Sequence, residues 1–114
     1  MEDVQAKIDE VVKGNPIVLF MKGTPNFPMC GFSARVVEVL KRTGQPFQAV
    51  NVLADPAVRQ GIKVYGNWPT IPQLYVDGKL VGGCDITMQM HANGELLPML
   101  KQAAGATEAV PANA

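Results

Sequence analysis

The sequence holds few residues of the types that most often carry redox or metal chemistry, namely Cys30, Cys84 and His91. Cys30 lies in a segment with two prolines and a glycine, between an apolar run at 17–21 and a helical pattern that starts near Ala34. Such a loop places the cysteine at the first turn of a helix, where unpaired N–H groups and the helix dipole favour a thiolate. Lys22 adds a cation nearby. We therefore predict a reactive thiolate at Cys30.

Two cysteines and one histidine cannot supply the four ligands of a tetrahedral metal site within one chain. Any iron–sulfur cluster must therefore take ligands from outside the chain. We assign His91 no functional role, because it has no cysteine at ligand spacing. Two interpretations remain open for Cys84. It resolves a mixed disulfide formed at Cys30, or it is a small residue packed behind Gly82 and Gly83.

Composition and charge exclude several classes of partner. Ten basic and ten acidic residues balance, so no overall field favours nucleic acid or an anionic membrane. No apolar run approaches the roughly 20 residues that span a bilayer. The acidic N-terminus lacks a secretory or transit pattern. We expect a cytoplasmic location, or an organelle if a transit segment has been removed.

The order of elements predicts an α/β fold. Apolar periodicity and turn signals indicate helix, strand, helix, strand, helix, strand, strand, helix, helix. Asp55 begins the third helix, Asp77–Gly78 forms a hairpin turn, and Asp85 is the expected cap of a helix over 86–92. A parallel strand–helix–strand unit followed by an antiparallel hairpin is the thioredoxin-like arrangement, with a central four-stranded mixed sheet flanked by helices.

The domain organisation is simple. Residues 1–103 form one domain, which is long enough to bury a core without disulfides or metal. The following residues are rich in alanine, glycine, threonine and proline, and they show no periodic apolar face. We predict that residues 104–114 form a disordered C-terminal tail.

Five motifs together resemble the monothiol (CGFS-type) glutaredoxins, in the right order and at the right spacings over about Val4 to Leu100. The motifs are Met21-Lys22-Gly23-Thr24-Pro25, Cys30-Gly31-Phe32-Ser33, Arg59-Gln60-Gly61, Trp68-Pro69-Thr70-Ile71-Pro72 and Gly82-Gly83-Cys84-Asp85. Each alone is a weak signal, and the set is specific. The resemblance implies a glutaredoxin domain with the fold predicted above.

The resemblance also implies a glutathione groove around Cys30. Lys22 and Arg59 would contact the glycine carboxylate of glutathione. Ile71, before a cis-proline, would pair through its backbone with the cysteinyl part. The helix start at Cys84 and Asp85 would hold the γ-glutamyl end, with its carboxylate on N–H groups and its ammonium near Asp85.

Other residues near the motifs receive smaller roles. Lys63 is a weaker candidate for the groove, which we interpret as a charged helix residue, and Trp68 is part of the groove wall or the core. Phe27 and Phe32, which flank the cysteine, form an exposed apolar rim for a partner or are buried.

Two functional hypotheses follow. In the first, the protein is an iron–sulfur carrier: Cys30 from each of two chains and two glutathione thiolates bridge one [2Fe–2S] cluster in a homodimer, which acts in cluster storage, transfer and iron homeostasis. The family implies BolA-type proteins and iron–sulfur recipient proteins as partners. In the second, it is a glutathione-dependent thiol–disulfide oxidoreductase acting through Cys30. We expect that activity to be weak, because Ser33 stands where dithiol relatives have a resolving cysteine.

Overall fold

The centre of the fold is β1, a strand that is buried along its whole length. The computed structural model describes the backbone of residues 3–112 and the side chains of residues 3–105. The sheet order is β2-β1-β3-β4, in which β1 is parallel to β2 and antiparallel to β3, and β4 is antiparallel to β3. The strands are β1 (Ile17–Met21), β2 (Gln48–Asn51), β3 (Gln73–Val76) and β4 (Lys79–Gly82). The predicted four-stranded mixed sheet is confirmed.

Helices cover both faces of this sheet. They are α1 (Val4–Gly14), α2 (Gly31–Thr43), α3 (Pro56–Tyr65), α4 (Cys84–Ala92) and α5 (Leu96–Ala112), with a 3₁₀ turn at Val52–Ala54. Successive β1 side chains point to opposite faces, so Phe20 joins a core with α1 and α3, whereas Leu19 joins a core with α2, α4 and α5. None of the described helices is both long and apolar enough to cross a lipid bilayer.

Several local signals form as the sequence predicts. The Asp55 side chain accepts hydrogen bonds from the N–H groups of Ala57 and Val58 and so begins α3. Asp77 and Gly78 both have positive φ, at 53° and 80°, as a two-residue hairpin turn requires. These signals act within a few residues, which is why sequence alone identifies them.

The starts of α2 and α4 correct the predicted boundaries. Cys30 is itself the N-cap of α2, so this helix begins earlier than the Ala34 estimate. Asp85 does not cap α4; Gly83 does, and Asp85 lies in the first turn. The helix begins early because the N–H and the hydroxyl of Thr87 both donate to the Gly83 carbonyl and close that turn.

The last helix extends beyond the predicted domain boundary. α5 continues to Ala112, across most of the segment for which the composition predicts a disordered tail. Alanine is frequent there and is the strongest helix former. The division into a domain at 1–103 and a tail at 104–114 stays a prediction, and residues 113 and 114 lie outside the described range.

Candidate functional site

A groove of about 520 Å³ lies beside Cys30. Its walls come from the loop after β1 and the start of α2, from α3, from residues 68–72, which we call the groove loop, and from the start of α4. Five of the predicted site residues line it, namely Lys22, Cys30, Ile71, Cys84 and Asp85. The tertiary structure therefore collects into one site motifs that are far apart in the sequence.

Arg59 is the predicted site residue that the groove does not include. It is exposed on α3, and Lys63 lines the groove in its place. Lys63 lies one helical turn after Arg59, on the same side of the helix but nearer the groove. From the sequence, Lys63 is only a weaker candidate for the groove, although its spacing of one helical turn from Arg59 is a signal that favours it.

Three hydrogen bonds hold the loop before Cys30, one within the loop, one to α2 and one to β2. The Lys22 N–H donates to the Ser33 hydroxyl oxygen at 3.1 Å, and the Met29 N–H donates to the Lys22 carbonyl at 2.9 Å. The Gly23 N–H donates to the Asn51 side chain at 3.0 Å, which ties the loop to the end of β2. The position of Cys30 is therefore set by the sheet as well as by its own helix.

The groove loop presents its backbone to the cavity. The Ile71–Pro72 peptide bond is cis, as the resemblance implied, and Ile71 is buried. Within residues 3–112, the Ile71 backbone has no hydrogen-bond partner. The Trp68 indole N–H is also buried and lacks an acceptor among the described residues. The loop thus holds two unpaired polar features, the Ile71 backbone beside the cavity and the buried Trp68 indole donor behind it.

The start of α4 forms the wall next to the groove loop. Gly83 begins the helix without a side-chain capping bond, so N–H groups of the first turn remain available. A Cβ at Gly83 would lie 3.3 Å from the Pro72 carbonyl oxygen and 3.4 Å from the Trp68 indole nitrogen. Glycine therefore permits the close approach of α4 to the groove loop. An anionic group fits this helix start because of the helix dipole.

The two cysteines differ in electrostatics. The backbone N–H of Ser33 lowers the pKa of the Cys30 thiol most, and the N–H of Phe32 and the Lys22 charge add to that effect against the opposing effect of burial. The pKa of the Cys84 thiol is raised, mainly by burial and to a smaller extent by the Asp85 charge. The half-buried Cys30 is thus biased towards thiolate and the buried Cys84 towards thiol.

Comparison with known proteins identifies the family. The glutaredoxin family profile matches residues 17–81, more than half of the chain. A monothiol glutaredoxin from Synechocystis, itself uncharacterised, is 52% identical over 101 residues, which cover 89% of this chain and 94% of that relative. The chain belongs to the monothiol glutaredoxin family. Glutaredoxin 4 of Escherichia coli K12 is 49% identical over 98 residues, covering 86% of this chain and 85% of that protein.

Several plant glutaredoxins are also similar to this chain. A chloroplastic monothiol glutaredoxin of rice is 50% identical over 89% of this chain, which spans 60% of that relative's length. The solution structure of a reduced apo poplar glutaredoxin, GrxS14, matches with a TM-score of 0.77 and 48% identity, over 89% of this chain and 93% of that one. The crystal structure of a buckwheat glutaredoxin–glutathione complex matches with a TM-score of 0.79 and 28% identity, over 89% and 90%. The thioredoxin-like fold is confirmed.

The pKa directions of the two thiols predict selective alkylation of this glutaredoxin. Thiolate is the reactive form and its fraction rises with pH, so Cys30 should react at lower pH than a free thiol. We expect iodoacetamide at pH 7 to modify Cys30 more than about tenfold faster than Cys84, which is both buried and raised in pKa. Peptide mass spectrometry over pH 5–9 measures both rates. Equal rates below pH 7 would contradict the assignment.

Proposed function

We propose that this protein binds glutathione in the groove beside Cys30 and, as a homodimer, holds a bridging [2Fe–2S] cluster for storage and transfer in iron homeostasis. One observation carries the proposal. Cys30 is a half-buried thiol biased towards thiolate at the edge of a groove, and Ser33 occupies the position of a resolving cysteine. A thiolate without a neighbouring thiol partner is suited to metal ligation.

The chemistry of the groove fits glutathione. Its volume of about 520 Å³ is within the usual range for small-ligand sites. Glutathione carries two carboxylates and one ammonium, and the groove supplies two lysines, Lys22 and Lys63, an open helix start, and the Asp85 carboxylate. The free Ile71 backbone suits the peptide part of the ligand. Arg59 lies outside the groove wall, so its predicted contact requires its side chain to extend past Lys63 towards the groove.

The number of ligands supports the dimer. Within the described residues, no three side chains of His, Cys, Asp or Glu converge on a possible metal site. Cys84 is buried and its pKa is raised, which leaves Cys30 as the available thiolate of each chain. A [2Fe–2S] cluster takes four ligands, so two chains supply two and two glutathione thiolates supply the others. When bound, the cluster would be cargo held partly by exchangeable small molecules.

The surroundings of Cys30 supply a surface for a second chain. Phe27 and Phe32 are 77% and 57% exposed, so they are not buried, and Met29 between them is 70% exposed. We call these three residues the exposed rim. Exposed apolar residues grouped at a functional thiol are typical of a protein contact. We extend the proposal to BolA-type proteins and iron–sulfur recipient proteins as partners at this rim, and to a cytoplasmic location, where thiols stay reduced.

Anaerobic reconstitution tests the proposed function. Iron and sulfide with glutathione should give a coloured dimer, and the same mixture without glutathione should give a colourless monomer, because the chain lacks enough ligands. A matched control is the glutathione analogue whose thiol is replaced by a methyl group. It should occupy the groove and prevent colour formation. Visible absorbance measures cluster formation, and light scattering measures whether the protein is a monomer or a dimer.

The contrary result favours the oxidoreductase alternative. A protein that remains a colourless monomer with glutathione, and that turns over a glutathione mixed disulfide rapidly, would overturn the carrier function. Electrons would then pass from free glutathione to the substrate disulfide through a Cys30–glutathione mixed disulfide. Colour that forms equally well without glutathione would instead overturn the ligand count.

A further inference from the structure

The buried side chain of Gln73 contacts the groove loop from behind. Gln73 is the first residue of β3 and is fully buried, which is costly for a carboxamide unless its polar atoms are bonded. Its amide nitrogen donates to the carbonyls of Trp68 and Thr70, at 3.0 and 3.2 Å. Both amide hydrogens are therefore used on a single loop.

Tyr75 bonds the oxygen end of this amide. Its hydroxyl donates to the Gln73 side-chain oxygen at 2.9 Å. Burial raises the pKa of Tyr75 to about 12, so the hydroxyl remains a donor at neutral pH. A rotated amide would place its oxygen against the carbonyl oxygens of Trp68 and Thr70, so these two carbonyls fix its orientation. A Cβ at Gly66 would collide with the Tyr75 hydroxyl and lie 2.8 Å from the amide oxygen, so the pair is closely packed.

These bonds set the position of the groove loop relative to the sheet. All five residues of the loop line the groove, whereas Gln73 does not. The backbone N–H of Trp68 donates to the Lys63 carbonyl and ties the start of the loop to α3. The Gln73 side-chain amide then joins the loop to β3, because it donates to the carbonyl of Thr70, the residue directly before Ile71. Movement of that amide would move the Ile71 backbone and the Trp68 side chain together.

We propose that Gln73 is a positioning residue for ligand binding in this groove. Through the carbonyls of Trp68 and Thr70, it holds the groove loop in the conformation that accepts glutathione, without touching the ligand. Tyr75 contributes by bonding the amide oxygen and restricting the movement of the side chain. The inference rests on the proposed function, since the affinity concerned is that for glutathione. It assigns part of that affinity to a buried network behind the groove.

The first test is Gln73→Met, which keeps the length of the side chain but removes both donors. We expect the affinity for reduced glutathione, measured by calorimetry, to fall about tenfold, because a loop that is no longer held must be ordered on binding. Trp68 is the single tryptophan and lies in the loop. Its fluorescence should become more accessible to acrylamide quenching even without ligand.

Tyr75→Phe is the second variant, and it keeps the test decisive if Gln73→Met fails to fold. It removes only the hydroxyl that is bonded to the amide oxygen and keeps the ring, so the amide is held less firmly and we expect a roughly threefold loss of affinity and increased quenching. Tyr65→Phe is the matched control. Tyr65 packs beside Tyr75, but its hydroxyl donates to Asp9 on α1 rather than to Gln73. It should leave affinity and quenching unchanged.

The outcomes separate this inference from the proposed function. If folded Gln73→Met or Tyr75→Phe protein matches the wild type in affinity and quenching, the positioning role is overturned. The same holds if Tyr65→Phe has an equal effect, because the loss would then be general. If the wild type binds no glutathione, the proposed function fails, and Trp68 quenching still decides whether Gln73 holds the loop.

Discussion

Replacement of Cys30 by serine should abolish the proposed binding of a [2Fe–2S] cluster. A serine hydroxyl is not ionised near neutral pH and is a poor ligand where a soft thiolate is required. We expect the visible absorbance of protein reconstituted with glutathione to fall by more than about tenfold, and the dimer to be lost with it. Serine is a preferred N-cap, and Cys30 is the N-cap of α2. The thermal midpoint should therefore be unchanged or slightly higher, which separates lost ligation from lost folding.

Cys84→Ser provides the matched control for Cys30→Ser. Cys84 lines the same groove, but it is buried and its thiol has a raised pKa. We expect this variant to keep the normal cluster spectrum and dimer. An unchanged spectrum in Cys30→Ser, or a lost cluster in Cys84→Ser, would show that the ligands are assigned to the wrong cysteine.

Gly23→Ala should destabilise the whole domain. Gly23 has a φ of 92°, and a Cβ there would lie 2.5 Å from the Phe27 carbonyl oxygen and 2.6 Å from the Met29 amide nitrogen. Both contacts are with backbone atoms of the loop before Cys30, so no flexible side chain can move aside. We expect the free energy of unfolding to fall by about 2–4 kcal/mol, and the thermal midpoint by roughly 10 °C. Calorimetry of the ligand-free protein measures both.

Gly14→Ala is the control for Gly23→Ala. Gly14 is the last residue of α1, and a Cβ there would meet nothing within 4 Å. Alanine should be neutral or stabilise the helix by up to about 1 kcal/mol, because it has the higher helix propensity. Equal midpoints for the two variants would show that the positive φ and the close backbone contacts at Gly23 carry no cost.

Local signals made much of the fold predictable. The Asp55 cap, the Asp77–Gly78 turn and the apolar run of β1 each depend on a few consecutive residues, and each forms as predicted. Asp85 shows the limit of such signals. Aspartate is a common cap, but the Thr87 bonds to Gly83 begin the helix earlier, and the choice depends on how α4 packs against the groove loop.

The sequence by itself predicted a thiol at a helix start and a serine where dithiol relatives have a second thiol, and it showed that one chain has too few cysteine and histidine ligands for a cluster. Those conclusions depend on residue types and short spacings. Only the tertiary structure decided which charged residue of α3 lines the groove. Lys63 lines it and Arg59 does not. It also revealed the bonds from Gln73 to the groove loop. Both depend on how α3 and β3 pack against that loop, which no local pattern encodes.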